Sequence, residues 1–280
     1  MFEFIEVLRN HSFMQNAVII GLLASVACGV MGTYVVVRRI VFISGGIAHA
    51  VLGGMGIAYY YGYNPMHGAV VSALIAALVI GFVSLRYHQY EDTLIGALWA
   101  LGMAVGILFI YKTPGYNVDL MSYLFGNILM VEGEDVRLLA YLDALIILSV
   151  LLFYKRFLAV CFDEEYSRLQ GIGVVSTYLL LLCLIALTVV ILIQVVGIIL
   201  VIALLTLPAA TARYYARSLI QMMILASLFG AVFTTSGLML SYQPDLPAGA
   251  TIILIAGLAY LLATVSKGLV SRFHGYRKRY

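Results

Sequence analysis

The sequence predicts an all-α, polytopic membrane helix bundle of about nine spans, eight to nine where short or broken helices blur the count. Three observations carry that fold class. Of 280 residues 64% are hydrophobic, and the mean hydropathy is +1.06. Charged side chains make up only 10% of the chain, against roughly 25% in a soluble domain. The apolar residues also come in runs of about 20, the helix length that crosses a hydrocarbon core. A water-soluble globule of this size could not hide so much apolar surface. The composition therefore excludes a soluble enzyme, a nucleic-acid-binding module and a disordered chain. The net charge of +3 is not a nucleic-acid signature, and the expected surroundings are lipid.

The spans follow in order. The first covers about 16–37 and ends at Arg38 and Arg39. The second covers 44–61 and runs into the loop YGYNP. The third covers 66–85, before Arg86, and the fourth 93–111. The fifth covers 138–154, before Lys155 and Arg156. Residues 174–212 carry no formal charge and are too long for one span, so two are expected, turning near Gln194 and Gly197. The last two cover 219–240 and 250–266. The segment SYLFGNILM (122–130) is apolar but too short to cross, and reads as a re-entrant or surface helix. The whole of 1–280 is expected to be one transmembrane domain, with a loop at about 155–173 and a basic tail at 267–280.

Thirteen of the 16 Lys and Arg fall on one side of this scheme. The positive-inside rule makes that side cytoplasmic, with the N-terminus outside and the C-terminus inside. The other side collects Asp119, Glu132, Glu134, Asp135 and Asp245, which suit cations or a basic partner equally with no role beyond a shortage of Lys and Arg. Glu3 and Glu6 stand where a signal peptide would carry basic residues, so a cleaved leader is not expected. The three cysteines are scattered, with no CxxC, and read as packing residues.

Few residues inside the spans can carry chemistry. His49, in SGGIAHAVLGGMG of the second span, is the deepest. Intramembrane ionisable side chains are expensive and mark ion pathways, and neutral imidazole ligates borderline divalent metals. A histidine bonded to a neighbouring helix is the competing reading. Gly46, Ala50 and Gly54 form a small-residue face suited to close helix packing, near a dimer axis or within the chain. Asp143 is expected at the outer interface rather than buried. His67 lies at the outer mouth of the third span. Asp163, Glu164 and Glu165 open a short amphipathic helix, where acids favour the positive end of the helix dipole. No P-loop, HExxH or GxSxG occurs, so the chain is not expected to be an enzyme.

Several segments resemble the permease subunits of ABC importers for zinc, manganese and iron(II). RRIVFISGGIAHAVLGGMG (38–56) is similar to that family's second-helix signature. FDEEYSRLQGIG (162–173) looks like its coupling helix, and VVGIILVIALLTLPAATAR (195–213) like its most recognisable stretch. SYQPDLPAGATIIL (241–254) matches its Asp-x-Pro-x-Gly loop, and SYLFGNIL is typical of it. Five such matches stand in order along the chain.

The resemblance implies a permease in the inner membrane of a prokaryote. It would homodimerise around a central pathway and receive metal from an extracytoplasmic binding protein. Two separate ATP-binding cassette subunits would power it, docked through Asp163, Glu164, Glu165 and Gly171. No cofactor would be held permanently. The divalent metal, zinc or alternatively manganese, would be cargo that passes His49. Many members carry an Asp four residues before that histidine; Gly45 stands there in this chain. A lone imidazole is a softer donor than a carboxylate and suits zinc better. The competing readings are a permease for a metal chelate, such as a siderophore or cobalamin, and a secondary cation transporter. The second would require more membrane-embedded acids than this chain has.

Overall fold

The computed structural model describes residues 8–87, 91–113, 126, 128–242, 244 and 246–277, with backbone alone at 91 and 268–277. The helices are α1 (Ser12–Arg38), α2 (Val41–Tyr60), α3 (Pro65–Arg86), α4 (Glu91–Lys112) and α5 (Gly133–Phe162). They continue as α6 (Glu164–Leu169), α7 (Val174–Val196), α8 (Ile198–Arg213), α9 (Leu219–Tyr242) and α10 (Ala248–Arg277). Eight are long and apolar enough to cross a membrane, and α8, at 16 residues, is a shorter apolar helix. The expected all-α bundle of eight to nine spans is therefore what forms.

Local chemistry sets the helix ends. Pro65 opens α3 where a missing N–H does no harm, and the Met66 N–H donates to Asn64 Oδ1 at 2.8 Å. The Glu132 N–H donates to Asp135 Oδ2 at 3.1 Å at the start of α5. The expected break between the seventh and eighth helices falls at Gly197, whose φ of 80° and ψ of 161° belong to a region open essentially to glycine alone. Several helices run beyond their apolar stretch. α5 has 30 residues, about 45 Å at 1.5 Å each, so residues 155–162 of the expected loop are two further helical turns.

Two helices act as hubs. α1 packs against α5, α8 and α9, and α2 packs against α3, α4 and α7. In lipid there is little hydrophobic gain from joining helices, so close approach through small residues provides the attraction. A Cβ on Gly29 would strike Ser227 of α9, and one on Gly32 would strike the Leu205 carbonyl of α8. The outward faces are apolar instead of charged: Leu151 is 72% exposed and Leu262 70%, as lipid contact requires. Of the segment 122–130, residues 122–125 and 127 lie outside the described residues. Gly126 backs onto Val196 and Gly197, Ile128 is buried, and residues 128–130 form a 3₁₀ turn.

Candidate cation pathway and coupling site

His49 is the eighth residue after the first of α2, about 12 Å from the helix start. A span beginning at Ser44 would put it roughly 8 Å from the start; the helix begins three residues earlier. The side chain is 8% exposed, and its buried Nδ1 has no hydrogen-bond partner among the described residues. Its ring lies flat on the indole of Trp99 in α4, with centroids 4.0 Å apart and planes 11° apart. Among the described residues that nitrogen makes no helix-to-helix hydrogen bond of the kind a packing histidine makes. Among the described residues no three His, Cys, Asp or Glu side chains come together. One chain alone thus presents a single imidazole and no closed metal cage.

The small residues around His49 all face neighbours within the same chain. A Cβ on Gly46 would meet the Ile95 side chain, and Gly102 backs onto Ala50. Gly53 and Gly56 approach the carbonyls of Gly102 and Gly106, so α4 lies along the length of α2. Gly54 faces the Gly68 carbonyl and Ser72 of α3. The small-residue face expected near a dimer axis is thus occupied by α3 and α4.

Asp143 departs from expectation. It is 5% exposed instead of sitting at an interface, and neither carboxylate oxygen has a hydrogen-bond partner among the described residues. The face of α5 that carries Leu139, Leu142, Asp143 and Ile146 is buried, and Cys28 of α1 lies within electrostatic reach. His67 is exposed at the start of α3, away from His49 on the neighbouring helix's far end. Asp119 and Asp245 lie outside the described residues.

The second cluster is at the end of the molecule that carries Arg38 and α6. Asp163 caps α6: its Oδ1 accepts from the Tyr166 N–H at 2.9 Å. Glu164 turns inward, and its Oε1 accepts from Arg38 Nη2 at 2.6 Å. Arg38 Nη1 also donates to the Val160 carbonyl at 3.2 Å, and the guanidinium lies 5.0 Å from the centre of the Tyr178 ring. One side chain at the end of α1 thereby holds α5, α6 and α7 together. A cavity of about 360 Å³ opens beside it, lined by Arg38, Arg39, Ser84, Asp92 and Glu164 among others.

The outer side of α6 is available. Glu165 is exposed, and Phe162, Tyr166 and Leu169 are 68%, 54% and 86% exposed. Phe162 ends α5 and Tyr166 and Leu169 lie on α6, so together they form an exposed apolar rim at this end of the molecule. Gly171, with φ 73° and open space around it, lets the chain turn from α6 into α7. Sequence reasoning missed Arg38 as the clamp and Trp99 as the neighbour of His49. A sole tryptophan in the chain was the one available signal for the latter.

The profile of the ABC 3 transport family matches residues 10–267. A probable metal transport system membrane protein of Chlamydia trachomatis is 44% identical, over 87% of this chain and 85% of that one. The manganese transport system membrane protein MntC of Halalkalibacterium halodurans is 35% identical, over 96% and 94%. Among solved structures, PsaBC from Streptococcus pneumoniae in complex with Fab superposes with a TM-score of 0.83 at 35% identity, covering 93% of this chain and 94% of its own.

Proposed function

The chain belongs to the ABC 3 transport family, as a membrane-spanning permease of a metal importer, and from that premise we propose that it carries a free divalent transition-metal ion past His49, driven by a separate ATPase docked on α6. The observation that carries the reading is the join between the two sites. The exposed apolar rim of α6 offers a landing surface, and Glu164 ties that helix to Arg38 at the end of α1. Only Arg39 and Ile40 separate α1 from α2, which bears His49. Movement of α6 by a partner thus has a short, polar-bonded route to the pathway helix. Asp163 and Gly171 shape that surface, while Glu165 faces the partner.

The thirteen-to-three division of Lys and Arg supports a cytoplasmic α6 and tail and an external N-terminus, and the bacterial relatives support a prokaryotic inner membrane. An extracytoplasmic binding protein delivers the ion to the opposite face. Two copies enclose the pathway. The face of α2 is already filled, so the second copy sits on α4, whose Trp99 lies on His49 and whose Leu101, Leu108 and Tyr111 are exposed further along the helix. Two imidazoles from facing copies, with water, make a loose transit site that can release what it binds.

The choice of metal rests on two opposed arguments. A lone imidazole favours zinc, whereas the names of similar proteins such as MntC support manganese. The test is uptake in proteoliposomes holding the permease and its ATPase, with zinc, manganese and a ferric chelate offered side by side. ATP-dependent accumulation of zinc or manganese, and none of the chelate, is expected. Accumulation of the chelate alone would replace this reading with a chelate permease.

A further inference from the structure

We infer that Trp99 is the positioning residue of the cation pathway, its indole fixing the orientation of the His49 imidazole and favouring the ion-bound ring. The inference rests on the metal-permease reading above. Three features of the site lead to it.

The stack is close and nearly parallel, at 4.0 Å and 11°, while among the described residues the buried Nδ1 has no hydrogen bond to set the ring's angle. Imidazoles that ligate metals are normally oriented by a bond from the nitrogen that does not bind the ion. Among the described residues no such bond is made to Nδ1, and the flat face of Trp99 is a contact that restrains rotation about the side-chain bonds.

Gly45 makes room for the arrangement. Helical side chains lean back toward the helix N-terminus, over the residue four positions earlier, so His49 leans over Gly45. A Cβ at Gly45 would come to 3.8 Å from Trp99 Cζ3. The indole therefore borders both positions, and a long side chain at 45 would compete with it for the same space.

Trp99 is also poorly placed as a mere core residue. It is 37% exposed within one chain, and its ring contact is with His49. An imidazole that gains a divalent ion takes on positive charge, and indole is the best aromatic face for a cation within about 6 Å. The same contact that orients the free ring thus favours the loaded one.

The experiment uses the full-length permease with its ATPase in proteoliposomes, and the permease chain alone in lipid vesicles for fluorescence, where Trp99 is the sole tryptophan. Zinc and manganese ions are the probes. Trp99→Leu, which keeps bulk but removes the aromatic face, should raise the KM for uptake at least tenfold, with a smaller change in maximal rate. Trp99→Phe should restore KM to within about threefold of the wild type. Manganese should quench Trp99 emission saturably in the wild type, and the saturable part should vanish in His49→Ala. Where Trp99→Leu does not insert stably, Trp99→Phe kinetics and the quenching pair decide. A Trp99→Leu KM within twofold of the wild type, a Trp99→Phe KM no better than that of Trp99→Leu, or saturable quenching that survives in His49→Ala would overturn the inference while leaving metal transport intact. Absence of any metal uptake by the wild type would sink the functional reading, and this inference with it.

Discussion

Glu165 and Glu164 are adjacent, yet their side chains do different things. Glu164 is bonded to Arg38 at 2.6 Å and Glu165 is exposed with Phe162, Tyr166 and Leu169 around the same helix. Reversing an exposed surface charge changes stability by only about 0.5 kcal/mol or less. Glu165→Arg should therefore unfold at nearly the wild-type temperature while ATP-driven uptake falls at least fivefold. Normal uptake in that variant would remove α6 as the docking helix. The inward turn of Glu164 was not legible in the sequence, where three consecutive acids look alike at the start of a helix. Its partner lies 126 positions away, and nothing local marks it. Trp99 was hidden for the same reason, since a stack between two helices has no periodic signal. Asp143 misled because its depth was judged from a span starting near 138. The helix starts at Gly133 and turns the acid's face inward.

At the scale of elements, the junction of α1, α5, α6 and α7 rests on the Arg38 guanidinium. It makes two hydrogen bonds and lies over Tyr178. Both charges of the pair are largely shielded, at 18% and 25% exposed, so the bond is worth more than an open surface pair. A hydrogen bond to a charged group contributes about 1.5–3 kcal/mol. Thermal unfolding in detergent should show losses of about that size for Arg38→Met and for Glu164→Gln. The double variant should lose less than the two losses added, because neither ion is then left without its partner. Strict additivity would mean that the two side chains do not support one another. The helices themselves were largely legible, since runs of about 20 apolar residues leave few alternatives. The break at Gly197 was legible because the uncharged stretch was too long for one span. Helix ends were less so: α5 continues past Lys155 and Arg156 to Phe162, as a helix in water can once its apolar part is across.

For the whole molecule, orientation and transport are the claims that matter. The proposed orientation has α6 inside and the α2–α3 turn outside. Cysteines introduced at Glu165 and at Tyr63, both exposed, should respond oppositely to an impermeant thiol reagent added to intact cells: labelling at 63 and none at 165. The reverse pattern would invert the transporter. The account as a whole stands on an ion passing His49, a buried imidazole whose Nδ1 has no hydrogen-bond partner among the described residues, on the helix that follows α1 in the chain. The most direct measurement is ATP-driven uptake of zinc and manganese by His49→Ala in proteoliposomes, with dimer assembly and ATPase binding checked on the same preparation. Uptake should fall at least tenfold, about 1.4 kcal/mol on the limiting step, with assembly retained; wild-type uptake in a fully assembled His49→Ala complex would contradict the account.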